Sequence, residues 1–247
     1  MDVSLFRRLG AEFIGTALLV LFGAGSVVAA VSMADGGLTY SGLGFIALAF
    51  AIVVALVIYG FGPVSGAHIN PAVTFALAVS KRFSWAEVVP YMLAQLAGGA
   101  LGAILLVAAY GPDASEAGGF GATALAETVP VGAGILAEVL GTFILVFAVM
   151  TLAVDARAPH GWAGFMIGLA VAVAILVTGP LTGGSLNPAR TFGPNLAASL
   201  WGGSAPWADF ALYWIGPLLG AAIAAGVYQF VAAPRAPEPT HAPSRTS

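Results

Sequence analysis

The chain has 247 residues, 60% of them hydrophobic and only 8% charged, with a formal net charge of −3 and no cysteine. Soluble domains carry about 25% charged residues, so this composition belongs in a lipid bilayer. It excludes nucleic acid as a partner and disulfide or thiol chemistry as a mechanism.

A helix needs roughly 20 apolar residues to cross a hydrocarbon core of about 30 Å. In chain order, six such runs are predicted at 9–31, 43–61, 88–110, 132–154, 162–179 and 208–232. The first follows Arg7 and Arg8 and has the outline of a signal peptide. Glu12 stands within it, however, and its pattern recurs later, so it reads as a retained helix. The Gly- and Ala-rich stretch 111–130 reads as an external loop. After the sixth run, PRAPEPTHAPSRTS has four prolines and no apolar face, and residues 233–247 read as a disordered tail. Arg7, Arg8, Lys81, Arg82, Arg157, Arg235 and Arg245 all fall on one side of a six-crossing chain. The positive-inside rule makes that side cytoplasmic, with both termini, in a cell (plasma or inner) membrane. The opposite loops carry Asp35, Asp113, Glu116, Glu127 and Asp209. Arg190 alone among the basic residues breaks the rule.

Two windows answer one another across the chain. GPVSGAHINPAVTF at 62–75 and GPLTGGSLNPARTF at 179–192 share eight identical positions. AEFIGT at 11–16 is echoed by AEVLGT at 137–142, and YMLAQLAGGA at 91–100 more weakly by YWIGPLLGAA at 213–222. A single domain over residues 1–232 thus holds two three-span repeats, about 7–110 and 132–232. Three is odd, so the second copy enters the membrane from the other side, an inverted repeat.

Asn is a strong N-cap and Pro is favoured at the first helical position. Asn70-Pro71-Ala72 and Asn187-Pro188-Ala189 therefore each read as the start of a re-entrant half-helix, from Pro71 to about Ser80 and from Pro188 to about Ser199. Entering from opposite faces, the two abut near the midplane with their N-termini facing. Each start carries roughly +0.5 charge, so the pair repels cations and protons. The Asn amides keep hydrogens to offer a passing oxygen. The approaches, Gly62 to Ile69 and Gly179 to Leu186, read as extended backbone whose carbonyls line a pore. Their inward N–H groups need acceptors, and Glu12 and Glu138 hold equivalent places to supply them. The competing use of such carboxylates is proton-coupled transport.

Arg190 has Val73 as its counterpart, so the scaffold does not require the charge. A central arginine costs about 2.5–3.5 kcal/mol on insertion scales, which points to selectivity. The alternative is an external arginine paired with a loop carboxylate. His68 is either a hydrogen-bonding wall residue of the inner mouth or a pH-sensitive gate there. No serine–histidine–acid set, phosphate loop or metal-ligand spacing occurs, so no enzyme activity, cofactor or metal is expected.

With its paired Asn-Pro-Ala motifs, AExxGT openings and NPAR, the chain over about residues 5–232 resembles the aquaporin (major intrinsic protein) family. The HINPAV and AVDARAP segments are similar to its archaeal-type branch. The resemblance implies an all-α membrane fold, a right-handed bundle of six transmembrane helices plus two half-helices. It also implies one pore per protomer and a homotetramer. It carries a four-residue outer filter onto Phe50, Ile175, Gly184 and Arg190. Strict water channels have a histidine where this chain has Ile175, and losing it widens the filter and removes a donor. The glycerol-facilitating branch has a second aromatic and an Asp after the arginine, where this chain has Gly184 and Thr191. The expected function is passive conduction of water and small neutral solutes such as glycerol, with ions and protons excluded. Rival expectations are a facilitator dedicated to glycerol or another uncharged solute and, more distantly, a secondary transporter.

Overall fold

A computed structural model describes residues 3–34, 37–116, 118–202 and 204–234. The expectation of a disordered tail therefore falls almost wholly outside the described residues, as do Asp35, Arg235, His241 and Arg245. Six helices are long and apolar enough to cross a membrane: α1 Leu5–Ser32, α2 Tyr40–Ser65, α4 Trp85–Tyr110, α5 Val131–Val154, α6 Ala163–Thr182 and α8 Trp207–Ala232. Two short helices, α3 Pro71–Val79 and α7 Pro188–Trp201, complete an all-helical fold among the described residues. At 1.5 Å per residue these are roughly 14 and 21 Å long, each short of a full crossing.

The inverted repeat is visible in which helices touch. α1 packs on α4 as α5 packs on α8, and α2 packs on α6 through the middle. Each half-helix crosses over: α3 lies against α8 and α7 against α4. Small residues make these crossings possible, because close backbone approach drives helix association where lipid is as apolar as the side chains. A Cβ added at Gly98 would run into the Phe13 carbonyl oxygen, and one at Gly220 into that of Val139. These are the same crossing in the two copies.

One expectation is corrected. The approach segments do not begin at Gly62 and Gly179. α2 continues through Pro63 to Ser65, and α6 through Pro180 to Thr182. Each helix then stops at a left-handed glycine, Gly66 (φ 88°) and Gly183 (φ 76°), a conformation in which only glycine escapes the Cβ penalty. A proline inside a helix forfeits one backbone bond, and here each stands only two residues before its helix ends, so little of the helix lies beyond the break. The extended stretches are therefore shorter, 67–70 and 184–187. Part of the loop 111–130 also folds back onto the bundle: Phe120, Gly121 and Thr123 are buried. Phe120 supplies the reason, as a large apolar side chain seated among Val20, Ala24 and Val28 of α1 and Leu106 of α4.

Candidate functional site

The two extended stretches are strained, and two carboxylates stabilise them. Ala67 and Ile69 (φ 47° and 45°) are matched by Gly184 and Leu186 (φ 60° and 59°) in the other copy. Such backbone costs on the order of 1–3 kcal/mol per non-glycine residue unless its surroundings fix it. Buried Glu12 does so with both oxygens. Its Oε1 accepts from Ser65 Oγ (2.7 Å) and His68 N (2.9 Å), and its Oε2 from Ile69 N (2.7 Å) and Gln95 Nε2 (2.8 Å). Glu138 repeats the pattern with Thr182 Oγ1 (2.7 Å), Ser185 N (2.9 Å) and Leu186 N (2.7 Å). The fourth donor is missing because Pro217 stands where the first copy has Gln95. Two buried tyrosines, Tyr91 and Tyr213, donate to the carbonyls of Ser65 and Thr182 at the ends of α2 and α6 (3.0 and 2.7 Å). The sequence repeat aligns these tyrosines, but nothing in it reveals their task.

With the N–H groups turned toward the carboxylates, the loops end at the two asparagines. Asn70 Oδ1 caps Ala72 N at 2.8 Å, and Asn187 Oδ1 accepts from Ala189 N and Arg190 N at 3.0 and 3.3 Å. Their amides cross. Asn70 Nδ2 donates to the Leu186 carbonyl (2.8 Å) and Asn187 Nδ2 to that of Ile69 (2.9 Å). Each half-helix start is thereby locked to the other loop. One of the two amide hydrogens expected to be free is spent on this lock, leaving one per asparagine for a passing oxygen.

Both asparagines lie on the wall of a cavity of about 370 Å³. One wall is polar: Gly66 to Asn70, Ser185 to Asn187, and Arg190. The other is aliphatic, with Leu19, Val54, Leu145, Val149, Val171 and Ile175 among its residues. His68 is on the polar wall, its Nδ1 3.1 Å from Thr74 Oγ1 and its ring edge-on to Phe83. Arg82 lines the mouth on the side of the chain termini.

Phe50, Ile175 and Arg190 all line this cavity, with the Arg190 guanidinium carbon 5.2 Å from the Phe50 ring centre. Arg190 is 2% exposed and has no carboxylate partner among the described residues, so the reading of it as an external ion pair is overturned. Its Nη1 donates instead to the Gly121 carbonyl at 2.7 Å, while its Nε meets no acceptor. Gly121 escaped sequence reasoning. It lies in the loop that turns inward, and only the buried Phe120 beside it hinted that the segment was not solvent-facing. Gly184 is buried beside α6, where an added Cβ would stand 3.3 Å from Ile175 Cα, so a larger residue there would press on the helix that carries Ile175. Among the described residues no cluster of His, Cys, Asp and Glu could hold a metal.

Comparison with known proteins follows the same line. The profile of the family described as Major intrinsic protein matches residues 1–228. The chain is similar to the probable aquaporin AqpM of Archaeoglobus fulgidus, 47% identical over 245 residues, 94% of this chain and 99% of that protein. It is also similar to aquaporin AqpM of Methanothermobacter marburgensis, 46% identical over 242 residues, 93% of this chain and 98% of that one. The fold is like that of the aquaglyceroporin from Plasmodium falciparum, with a TM-score of 0.80 at 24% identity, covering 92% of this chain and 97% of that one. On the extent of that match and the identity to full-length relatives, the chain belongs to the major intrinsic protein family.

Proposed function

We propose that the protein is a passive channel that conducts water and small neutral solutes such as glycerol while refusing ions and protons. Residues 1–232 form its single channel domain, it sits in the cell membrane with both termini in the cytoplasm, and it assembles as a homotetramer. The observation that carries this reading is the pair of crossed asparagines. Asn70 and Asn187 sit at two facing helix N-termini on the wall of one cavity, each with a single N–H to offer. A water passing there accepts from both, so its own hydrogens point away from the centre and the file of hydrogen bonds is broken. The facing dipole ends, each roughly +0.5, oppose cations at the same point. Arg190 adds a full charge where the cavity meets Phe50 and Ile175, and these with Gly184 form the filter. Glu12 and Glu138 serve as loop supports, their oxygens accepting from the N–H groups of His68 and Ile69 and of Ser185 and Leu186.

Stopped-flow light scattering on proteoliposomes, with water and glycerol followed in parallel against empty vesicles, tests the proposal. Fast flux with low activation energy is expected for water, with measurable glycerol flux. Flux no greater than that of empty vesicles would sink it. A dedicated glycerol facilitator is the second reading, favoured by one observation, the aliphatic Ile175 on the cavity that Arg190 also lines. Ile175→His restores bulk and a donor at that wall. It is expected to lower glycerol flux more than water flux; equal loss of both would count against the filter assignment.

A further inference from the structure

Phe50 reaches the cavity from α2, yet what fixes its ring lies behind it, in α1. That helix is not wound uniformly: Leu19–Ala24 form a π-helical turn, a local widening often found at functional sites. Leu19, which opens the turn, reaches the cavity wall. Gly23 lies within the same turn, its carbonyl accepting from Ser26 Oγ at 2.7 Å. The Phe50 ring rests directly on it. A Cβ placed on Gly23 would run into Phe50 Cε1 and stand 2.7 Å from both Cδ1 and Cζ. Real contacts at a Cβ rarely fall below 3.4 Å, so a single methyl group would force the ring away from α1 by more than half an ångström. The ring is the free end of a side chain and can yield without moving backbone. The open space beside it is the cavity, and across that space the ring already approaches Arg190.

We propose that Gly23 is a specificity-determining position, one that sets the width of the filter by letting the Phe50 ring sit back into the π-turn of α1. Gly23 touches no permeant itself and acts by positioning Phe50. The inference rests on the channel reading above and adds to it a residue outside the pore wall. Water, the smallest permeant, tolerates the narrowing that Gly23→Ala imposes better than a carbon-bearing solute does. One methylene in a shaped pocket discriminates by about tenfold, and a fall of that order in the glycerol-to-water permeability ratio is expected.

The test is parallel water and glycerol stopped-flow on proteoliposomes of the full chain, with methanol as a smaller solute. Five proteins are compared: wild type, Gly23→Ala, Gly44→Ala, Phe50→Leu and the Gly23→Ala/Phe50→Leu double variant. Gly44 shares α2 with Phe50 but has open space around it, so Gly44→Ala keeps the wild-type ratio. Gly23→Ala lowers the ratio for glycerol more than for methanol. In the Phe50→Leu background, where no ring remains to be displaced, the same methyl leaves the ratio unaltered. A wild-type ratio in Gly23→Ala, or an equal drop in both backgrounds, would overturn the inference while leaving the channel reading intact. Wild-type protein passing neither water nor solute overturns the channel reading itself. If Gly23→Ala fails to reach the membrane, the double variant decides: recovery with Leu at position 50 supports the contact, and equal failure refutes it.

Discussion

Glu138 holds its loop with oxygens that accept from three donors, two of them backbone N–H groups that nothing else could satisfy. Glu138→Gln keeps the shape but turns one acceptor into a donor, so at least one of those groups loses its partner. An orphaned buried polar group costs about 1–3 kcal/mol, and thermal unfolding in detergent should register that loss. Unchanged stability with abolished flux would instead mean that the carboxylate takes part in transport. Arg190 obeys a different logic, because Val73 holds the equivalent place without harm to the first copy. Arg190→Val is therefore expected to fold, to keep water flux within a few-fold and to raise glycerol flux. It should also admit cations, which the two half-helix dipoles alone, at roughly half a charge each, oppose less strongly. Planar-bilayer current recordings check this, and a variant as tight to ions as wild type would remove Arg190 from the selectivity mechanism.

At the scale of elements, the asparagine caps, the half-helices and the supporting glutamates were legible in the sequence. Each rests on a local rule: N-cap chemistry, proline at the first helical position, and an unpaired N–H that needs an acceptor. The continuation of α2 through Pro63 was not, because a proline removes one hydrogen bond without ending a helix outright, and the left-handed Gly66 that does end it comes three residues later. The inward course of residues 118–123 was equally hidden. Glycine-rich composition signals freedom of backbone, and where that freedom is used depends on a distant contact, here Arg190 with Gly121. A third feature at this scale is the anchoring of the α5–α6 connection. Asp155 accepts from Arg157 Nη2 and Nε (2.6 and 2.9 Å) and from Tyr228 in α8, while Arg157 also reaches the Ala232 carbonyl. The guanidinium holds the Asp155 carboxyl well below the usual carboxylate range. A depressed folded value gives a contribution fully present above the ordinary carboxylate value of about 3.9 and lost only as pH falls below it. Hydrogen exchange across residues 156–162 should thus show equal protection at pH 5 and pH 7 once intrinsic rates are removed. Asp155→Asn should lose protection at both. Protection in wild type that weakens between pH 7 and 5 would show that another group governs the anchor.

The whole molecule is a symmetric frame carrying asymmetric chemistry. Strain, caps, carboxylates and tyrosines come in pairs, whereas Arg190 against Val73 and Gln95 against Pro217 do not. The pairs build the frame, and the unpaired residues on the cavity wall are where selectivity can differ between its two ends. The sequence made the frame readable because a repeat is a pattern within one chain. The proposed filter was readable only by spacing from the motifs, because Phe50, Ile175, Gly184 and Arg190 come from separate segments that only the fold brings near one another. One whole-chain property allows that wall to be mapped directly. With no cysteine anywhere in the sequence, the wild-type channel should be insensitive to mercurials, and any single introduced thiol reports on its own position. Ile175 is 3% exposed and borders the cavity, whereas Val177, two residues on along α6, is 67% exposed on the outer surface of the bundle. Two residues on a helix differ by about 200° in direction, so one thiol would meet water in the pore and the other lipid. Ile175→Cys should become blockable by mercurials with recovery on reduction, and Val177→Cys should conduct as wild type under the same treatment. Block at Val177, or none at Ile175, would mean that the conducting path runs elsewhere than through the cavity bounded by Phe50, Ile175 and Arg190.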